Sequence, residues 1–355
     1  MKKITGHRHF FKQLLAKTEK RRKKMRRHKT FFGGLIIVAI IAFICGAIPG
    51  SVAAATINLK FGHVLQMDHP YHKMAIKFKS ELERRNKDVV VNIFPAKQLG
   101  NERDLVEGLQ LGSVDISTIT SALTAGFVPG FKAFSLPFLF TDANHLFRVM
   151  DSDIGEKLVS DMDKAGLIKL GYVYGGSRDL YSRIPIRNLQ ELKGKKIRTM
   201  ENRILIDAWN ALGAIATPIP WGDVYLSLKQ GVVDGGEGTG ASYRSMKFFE
   251  SSPHYTRVSY VFSWHNFMMS KKTWNKLSND VRIDVMAAAG IAQEYERRLF
   301  VDTEKSLFKD LEQNYGVHIY HPADLNKWRT GISNVYKKNA KKVGGMDYIK
   351  KIQGL

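Results

Sequence analysis

Strand-like and helix-like segments alternate along most of this chain, and this alternation constrains its fold more than any other feature. Apolar residues recur at every second position in the strand-like segments and at every fourth position in the helical ones. The first series comprises strands at 56–61, 89–94 and 114–119, with helices at 70–86 and 103–111 between them. Such spacing predicts parallel βαβ units.

A second series follows and ends in an unusually long helix. Its predicted strands lie at 168–174, 195–199, 214–217, 232–234 and 260–269, and its predicted helices lie at 203–212 and 224–231. The helical pattern then runs from Asp280 to about Lys309. Two such series predict an α/β chain of two lobes joined by hinges. The ligand is then expected at the carboxyl ends of the strands, in the cleft between the lobes.

The N-terminus has the three-part layout of a secretory signal peptide. Basic residues precede an apolar run over 31–48, and a Pro-Gly break leads into the small residues 51–55. We therefore expect residues 1–55 to be a signal peptide, cleaved after Ala55, and the mature protein to reside in the periplasm. An uncleaved anchor is the alternative, because about 18 apolar residues nearly span a bilayer. The basic region is unusually long, and Met25 is an alternative translation start.

Charge and cysteine content exclude several classes of protein. Thirteen of the 55 Lys and Arg residues, but only one acidic residue, lie in residues 1–55, which leaves a modestly basic body. A basic run directly before an apolar export segment serves to orient that segment in the membrane, so no nucleic-acid partner is expected. Cys45 is the single cysteine, so no disulfide or thiolate metal cluster can form within the chain. No metal or cofactor is predicted.

Several ordered motifs are similar to those of one transport family. They are Leu59–Val64, Phe94–Pro95, Gln98–Asp104, Leu192–Arg198, Asp223–Tyr225, Gln230–Gly235 and Glu237. The chain resembles the DctP-type substrate-binding proteins of the tripartite ATP-independent periplasmic (TRAP) transporters over essentially all of residues 56–355. The resemblance implies a protein that closes around a small organic carboxylate and delivers it to the membrane permease subunits, and we expect it to be a monomer. The protein would then contact the membrane only through the transporter or through an uncleaved anchor.

This resemblance implies a periplasmic-binding-protein-like fold with hinge strands and a long helix that spans both lobes. The expected first lobe comprises residues 56–175 with about 264–300. The expected second lobe comprises residues 176–263 with about 301–355. A periplasmic enzyme acting on a small carboxylate is the alternative function, although no paired catalytic carboxylates or nucleophile elbow are identifiable.

Two arginines are the main candidates for binding the carboxylate. Arg198 lies at the carboxyl end of a predicted strand, and a guanidinium can bind a carboxylate through two parallel hydrogen bonds. The resemblance implies that it is the carboxylate clamp; otherwise it is a surface residue of a basic run. Arg178 follows a strand and the small residues 175–177, and by resemblance it supplies a second cation. Its alternative is a hinge residue paired with Asp179.

Four further residues are candidate ligand contacts. By resemblance, Trp221 packs against the carbon skeleton of the ligand; otherwise it is a core residue. His63 ends the first strand and is a possible hydrogen-bond partner, or a structural histidine. Glu201 and Glu237 are further candidates, and Glu201 could accept hydrogen bonds from the hydroxyls of a sugar acid. C4-dicarboxylates, hydroxy or keto acids and sugar acids all remain open as ligands. By resemblance, Thr120 stands where sialic-acid-binding members of the family have an acidic residue, and this argues against sialic acid.

The signal-peptide interpretation predicts the N-terminus of the mature protein. When residues 25–355 are expressed, the protein should be recovered from the periplasm with Thr56 as its first residue, because Ala53 and Ala55 are small enough for signal peptidase. N-terminal sequencing measures this directly. Recovery of a chain that still begins at Met25 would show an anchor instead.

Overall fold

The computed structural model describes residues 56–355, whose strands form one mixed sheet; the predicted signal peptide lies outside the described residues. The strands are β1 (Ile57–Gly62), β2 (Val89–Phe94), β3 (Ile116–Thr120), β4 (Leu167–Ser182), β5 (Lys196–Thr199), β6 (Ile215–Pro218), β7 (Gly235–Thr239), β8 (His254–Ser270) and β9 (His318–Tyr320). Their order is β2-β1-β3-β8-β4-β7-β5-β6, and β9 pairs with β8.

Helices connect most of these strands. They are α1 (Pro70–Arg85), α2 (Glu102–Leu111), α3 (Ser121–Thr124), α4 (Ala143–Met150), α5 (Asp153–Lys164), α6 (Leu189–Leu192), α7 (Arg203–Ala211), α8 (Val224–Lys229), α9 (Gly240–Ser245), α10 (Lys271–Lys276), α11 (Asn279–Tyr315), α12 (Leu325–Gly331), α13 (Ser333–Asn339) and α14 (Met346–Gln353). Short 3₁₀ turns lie at Pro129–Ser135, Trp221–Asp223, Phe248–Glu250 and Ala340–Val343. Over residues 56–355, none of the helices combines the length and the apolar character needed to cross a membrane.

The predicted parallel units are confirmed within each half of the sheet. β1 pairs in parallel with β2 and β3, and β5 pairs in parallel with β6 and β7. The halves are joined by β4 and β8, which run antiparallel to each other along their whole length. β8 also pairs antiparallel with β3, and β4 with β7, so each long strand contacts one half directly. These are the hinge strands that the sequence predicts.

The predicted position of β7 is wrong. Residues 232–234 are predicted as a strand but form a turn, and the strand is the glycine-rich segment Gly235–Thr239. Glycine is needed because β7 packs against the Tyr181 ring: a β-carbon at Gly236 would lie 2.7 Å from the hydroxyl oxygen of that tyrosine. A strand without side chains on this face shows no apolar alternation, and the pattern therefore missed it. The alternation pattern also predicts β4 and β8 too short.

The long helix α11 is confirmed and extends beyond its predicted end. Ser278 caps its first turn by accepting a hydrogen bond from the Val281 N–H, and Gly316 ends it in the left-handed conformation. Its 37 residues span about 55 Å at 1.5 Å per residue. α11 packs on α1, which follows β1, and on α9, which follows β7. A single helix therefore contacts both halves of the sheet.

Side chains of α11 also cover an open edge of β4. β7 pairs only with residues 178–182, so the preceding part of that edge has no strand partner. The Tyr172 N–H donates to Gln293 Oε1 at 2.7 Å, and the Tyr174 N–H donates to Glu296 Oε2 at 2.9 Å. Glu304 accepts from the backbone N–H of Ser177. The helix thus satisfies backbone donors that would otherwise be left unpaired at a sheet edge.

Burial of Glu304 predicts a pH-dependent stability. Burial raises its pKa from 4.5 to about 7, although Arg257 and the Ser177 N–H oppose the shift. The folded state therefore binds the proton more tightly than the unfolded state, and stability falls as the pH rises from about 4.5 to about 7. Glu304→Gln cannot ionise but keeps an oxygen for Ser177. We expect it to melt at a higher temperature than wild type above about pH 7 and at the same temperature near pH 4.5.

Glu294→Gln on the same helix is the matched control, because that side chain is 57% exposed. Thermal unfolding followed by circular dichroism at several pH values gives the comparison. A difference between wild type and Glu304→Gln that stays constant with pH would contradict the assignment.

Candidate functional site

The order of three neighbouring strands assembles a buried charge cluster. β7 lies between β4 and β5 in the sheet, so Glu237 on β7 has Arg178 of β4 on one side and Arg198 of β5 on the other. Arg178 binds Glu237 through two hydrogen bonds: Nε donates to the carboxylate atom Oε2 at 2.6 Å, and Nη2 donates to the backbone carbonyl at 3.0 Å. The Tyr260 hydroxyl donates to the same Oε2 atom at 2.5 Å. All three charged side chains are buried.

Arg198 is bound less completely than Arg178. Its Nε donates to the Ile219 carbonyl at 2.9 Å, whereas its Nη1 lies 3.6 Å from Glu237 Oε1, beyond hydrogen-bond distance. Among the described residues, Arg198 Nη1 and Glu237 Oε1 have no hydrogen-bond partner. A buried guanidinium that keeps a free donor is suited to receive an acceptor from outside the chain.

Burial and neighbouring charges move the two arginine pKa values in opposite directions. Burial lowers the pKa of Arg198, and nearby Arg178 lowers it further, although Tyr181 and Glu237 oppose the shift. Burial opposes the charge of Arg178 too, but the Glu237 carboxylate, together with Tyr260 and Tyr181, outweighs burial and raises the pKa of Arg178. Both guanidiniums remain charged at cellular pH. The cluster thus holds two positive charges and the single carboxylate of Glu237.

Trp221 covers Arg198. Its ring centroid lies 5.3 Å from the Arg198 Cζ atom and 5.2 Å from the centroid of Phe248. The indole face therefore stabilises the guanidinium by a cation–π contact. The Trp221 Nε1 atom is buried and has no hydrogen-bond partner within residues 56–355.

Arg178, Arg198 and Trp221 form part of the wall of a cavity of about 320 Å³, a volume that includes its open mouth. The lining residues are Val64, Leu65, Glu102, Thr120, Arg178, Arg198, Met200, Trp221, Ser242 and His265. The cavity therefore places a cationic surface together with several neutral or acidic hydrogen-bonding groups.

Glu102 and Thr120 supply the acidic part of the lining. The Thr120 N–H donates to Glu102 Oε1 at 2.7 Å, and the Thr120 hydroxyl donates to Oε2 at 2.9 Å. Burial raises the pKa of Glu102, whereas the Thr120 bonds and the two arginines oppose the shift. His265 Nε2 lies 3.7 Å from Glu102 Oε1, and its Nδ1 lies 2.8 Å from the Tyr71 hydroxyl. Burial lowers the pKa of His265 well below 6.5, so this ring is neutral.

A second cavity, of about 560 Å³, adjoins the first and shares Glu102, Arg198, Met200 and Trp221 with it. Glu201 lies in its wall, where its Oε2 is 3.5 Å from Arg103 Nε. The Glu201 side chain is 35% exposed, so this residue lies at the outer part of the cleft. It does not line the first cavity.

His63 and Glu237 lie behind the lining of the first cavity. His63 is buried, and its Nε2 is 3.0 Å from His72 Nδ1. Burial and the neighbouring His72 lower the pKa of His63 to about 3, so the imidazole is neutral. Of the six predicted site residues, Arg178, Arg198 and Trp221 share the first cavity, Glu201 lines the second, and His63 and Glu237 support the wall.

Sequence reasoning did not single out Glu102, Ser242 and His265. Glu102 could have been found, because it is the first residue of α2 and follows the carboxyl end of β2, where ligands of open sheets bind. His265 lies in the middle of a long strand, and Ser242 lies in a six-residue helix. No spacing signal marks either position.

Comparison with known proteins identifies the family. The model of the bacterial extracellular solute-binding proteins, family 7 (DctP), matches residues 61–342. The chain belongs to the DctP family. A solute-binding protein of Roseobacter denitrificans is 35% identical over 273 residues, which cover 76% of this chain and 82% of that protein.

Solved structures of TRAP periplasmic solute-binding proteins share the fold. The Roseobacter denitrificans protein with bound L-galactonate has a TM-score of 0.79 at 29% identity and covers 85% of this chain and 99% of its own. A Polaromonas protein bound to D-erythronate has a TM-score of 0.81 at 30% identity, with coverages of 84% and 99%. A Xanthobacter autotrophicus protein with bound β-D-galacturonate has a TM-score of 0.78 at 29% identity, with coverages of 83% and 99%. The predicted two-lobe periplasmic-binding fold of this DctP-family chain is thereby confirmed, whereas the lobe boundaries stay a prediction.

The charge cluster predicts that Glu237 is essential for stability. Glu237→Gln leaves two buried guanidiniums without their counter-ion, and breaking a buried pair in this way costs roughly 3–5 kcal/mol. Urea denaturation should show a loss of that size. Glu201→Gln is the control: it breaks an exposed ion pair and should cost less than about 1 kcal/mol. Equal stability of the Glu237 variant and wild type would contradict the role of this carboxylate.

Proposed function

We propose that this DctP-family chain is a periplasmic receptor that captures a sugar acid with one carboxylate and delivers it to the permease subunits of a TRAP transporter. The observation that carries this proposal is the buried pair of guanidiniums with a single resident carboxylate, placed beside a tryptophan at the wall of the cavity. Arg198 is the proposed clamp, because its guanidinium lines the cavity and is bound only in part by the chain.

The charges of the cavity favour a monocarboxylate. Arg178 and Arg198 together carry two positive charges, and Glu237 neutralises one of them. One ligand carboxylate completes the balance, and a low-dielectric surrounding strengthens its hydrogen bonds to the guanidinium. In this arrangement Glu237 orients the two arginines instead of contacting the ligand, and His63 supports the loop that carries Val64.

The remaining polar groups of the cavity favour a polyhydroxy ligand over a dicarboxylate. Glu102 and His265 offer acceptors and donors that suit sugar hydroxyls, and Trp221 offers an apolar surface for the carbon skeleton. A second ligand carboxylate would find no further cation, because Arg178 and Arg198 are the only cationic side chains that residues 56–355 place in the lining of the first cavity. Sugar acids bound to related proteins of known structure, namely L-galactonate, D-erythronate and β-D-galacturonate, support this choice of ligand class.

We further propose that the protein is an exported monomer that binds its ligand without converting it. The N-terminal sequence supports export, and the proposed lobes, 56–175 with about 264–300 and 176–263 with about 301–355, close around the ligand by a hinge motion. Membership of a family of transport receptors supports binding without turnover.

A thermal-shift panel tests the proposed ligand class. Residues 56–355 are suited to it, because the chain from Ala55 onward forms one compact unit. A ligand that binds only the folded state raises the melting temperature by mass action. Hexuronates and aldonates should raise it, whereas C4-dicarboxylates and neutral sugars should have little effect. A response to dicarboxylates alone would contradict the proposal, and turnover of a bound acid would favour the enzyme alternative.

The clamp role of Arg198 predicts a graded loss of affinity. Arg198→Lys keeps a charge but loses the planar fork, and truncating a buried charge-pair partner costs roughly 2–5 kcal/mol. We expect Arg198→Lys to lose about 10-fold or more in affinity for the best acid of the panel, and Arg198→Ala to lose more. The exposed Lys196 on the same strand is the control, since Lys196→Ala should change the binding free energy by less than about 0.5 kcal/mol. If calorimetry shows the same affinity for Arg198→Ala as for wild type, the proposed clamp role of Arg198 is contradicted.

A further inference from the structure

The loops that follow the two outermost strands of the sheet bond to each other. β2 and β6 stand at opposite ends of the strand order, yet Lys97 Nζ donates to Asp223 Oδ1 at 3.0 Å and to the Gly222 carbonyl at 3.1 Å. The Gly222 N–H donates in turn to Asn101 Oδ1 at 3.1 Å. The ends of a sheet can meet in this way only when its two halves face each other. We call these four residues, Lys97, Asn101, Gly222 and Asp223, the clasp.

The backbone of the first loop holds Lys97 in place. Ala96 and Lys97 have φ angles of 50° and 57°, in the left-handed region that residues with a β-carbon rarely adopt. Such a conformation persists only where its surroundings enforce it. Here the Ala96 N–H donates to the Leu65 carbonyl at 3.0 Å, and the Lys97 N–H donates to the His63 carbonyl at 3.2 Å. The clasp loop is therefore fixed to the segment that lines the cavity.

The second loop is shaped to receive Lys97. A β-carbon at Gly222 would collide with Lys97 Cδ, and it would lie 2.7 Å from Asn101 Oδ1. A side chain at position 222 would therefore displace the Lys97 and Asn101 side chains from their present contacts. The side chains of Lys97 and Asn101 both bond to the backbone of Gly222, which distinguishes the contact from an ordinary surface ion pair.

Each side of the clasp is adjacent in sequence to a residue that lines the cavity. Gly222 follows Trp221, which covers Arg198, and Asn101 precedes Glu102. Formation of the clasp therefore fixes the Trp221 ring relative to Glu102 across the cleft. The clasp residues themselves are absent from the lining of the first cavity, so they reach a ligand there only through these neighbours.

We propose that Lys97 and Asn101 are positioning residues: they grip the Trp221–Asp223 turn when the cleft closes and so seat the Trp221 ring against the bound ligand. This inference rests on the proposed function, because it assigns the clasp a role in retaining the acid. The clasp forms after the ligand has entered an open cleft, so it should slow release of the ligand and leave its capture unchanged.

Binding kinetics of Lys97→Met and Asp223→Asn test the clasp, using the protein as it is recovered from the expressing cells. Stopped-flow tryptophan fluorescence should show a dissociation rate about 3- to 10-fold faster than that of wild type, since the pair is half exposed and such pairs contribute modestly. The association rate should stay within about twofold. The double variant should release the ligand no faster than the worse single variant, because the two residues share one interaction.

Two controls separate positioning from a merely structural role. Lys60→Met removes an exposed lysine of β1 that lies outside the clasp, and it should leave both rates unchanged. Raising the salt concentration should shrink the difference between wild type and Lys97→Met, because salt screens an exposed ion pair. The melting temperature without ligand should be the same for all of these variants.

The outcomes also separate this inference from the proposed function. If the wild-type protein binds a sugar acid, and Lys97→Met and Asp223→Asn release that acid at the wild-type rate, the clasp is contradicted but the proposed function is not. A slower association with unchanged dissociation contradicts it too, because that result indicates electrostatic steering of the ligand. Wild type that binds none of the acids in the panel contradicts the proposed function and, with it, the clasp.

Discussion

The buried contact between Arg178 and Glu237 is the interaction on which the rest of the site depends. Two guanidiniums can be buried side by side only because a carboxylate lies between them, and the strand order β4-β7-β5 provides that arrangement. Glu237 accepts two hydrogen bonds from Arg178 and contacts Arg198 only at 3.6 Å. The cluster is therefore stable as a unit and still carries a donor and a net positive charge for a ligand.

The architecture couples this cluster to closure of the cleft. Arg178 lies on β4, one of two long antiparallel strands that connect the halves of the sheet, and α11 covers the open edge of that strand with Gln293, Glu296 and Glu304. The cluster thus lies on one half of the sheet and on a long strand that connects this half to the other. The proposed clasp joins the loops after the outermost strands, so the proposed ligand site lies between the connecting strands and this closure contact.

Most of the fold could be predicted from the sequence, because alternation and helical spacing report burial directly. β1 and β2, α1 and α2, and the long α11 lie close to their predicted positions. β7 could not be predicted, since its glycines carry no pattern and are required by the Tyr181 ring, which precedes it by more than fifty residues. The candidate arginines and Trp221 were found from strand ends and family motifs. The partners of Glu237 and the role of His265 depend on contacts between strands distant in sequence, which no local pattern records.

The most direct test of this account compares a hexuronate with the neutral hexose of the same configuration, for example D-galacturonate with D-galactose. The two sugars differ at the group that Arg198 is proposed to bind. Calorimetry should show binding of the acid and an affinity at least about 100-fold weaker for the neutral sugar, since the buried guanidinium would lose its acceptor. Equal affinities for the two sugars would contradict the account.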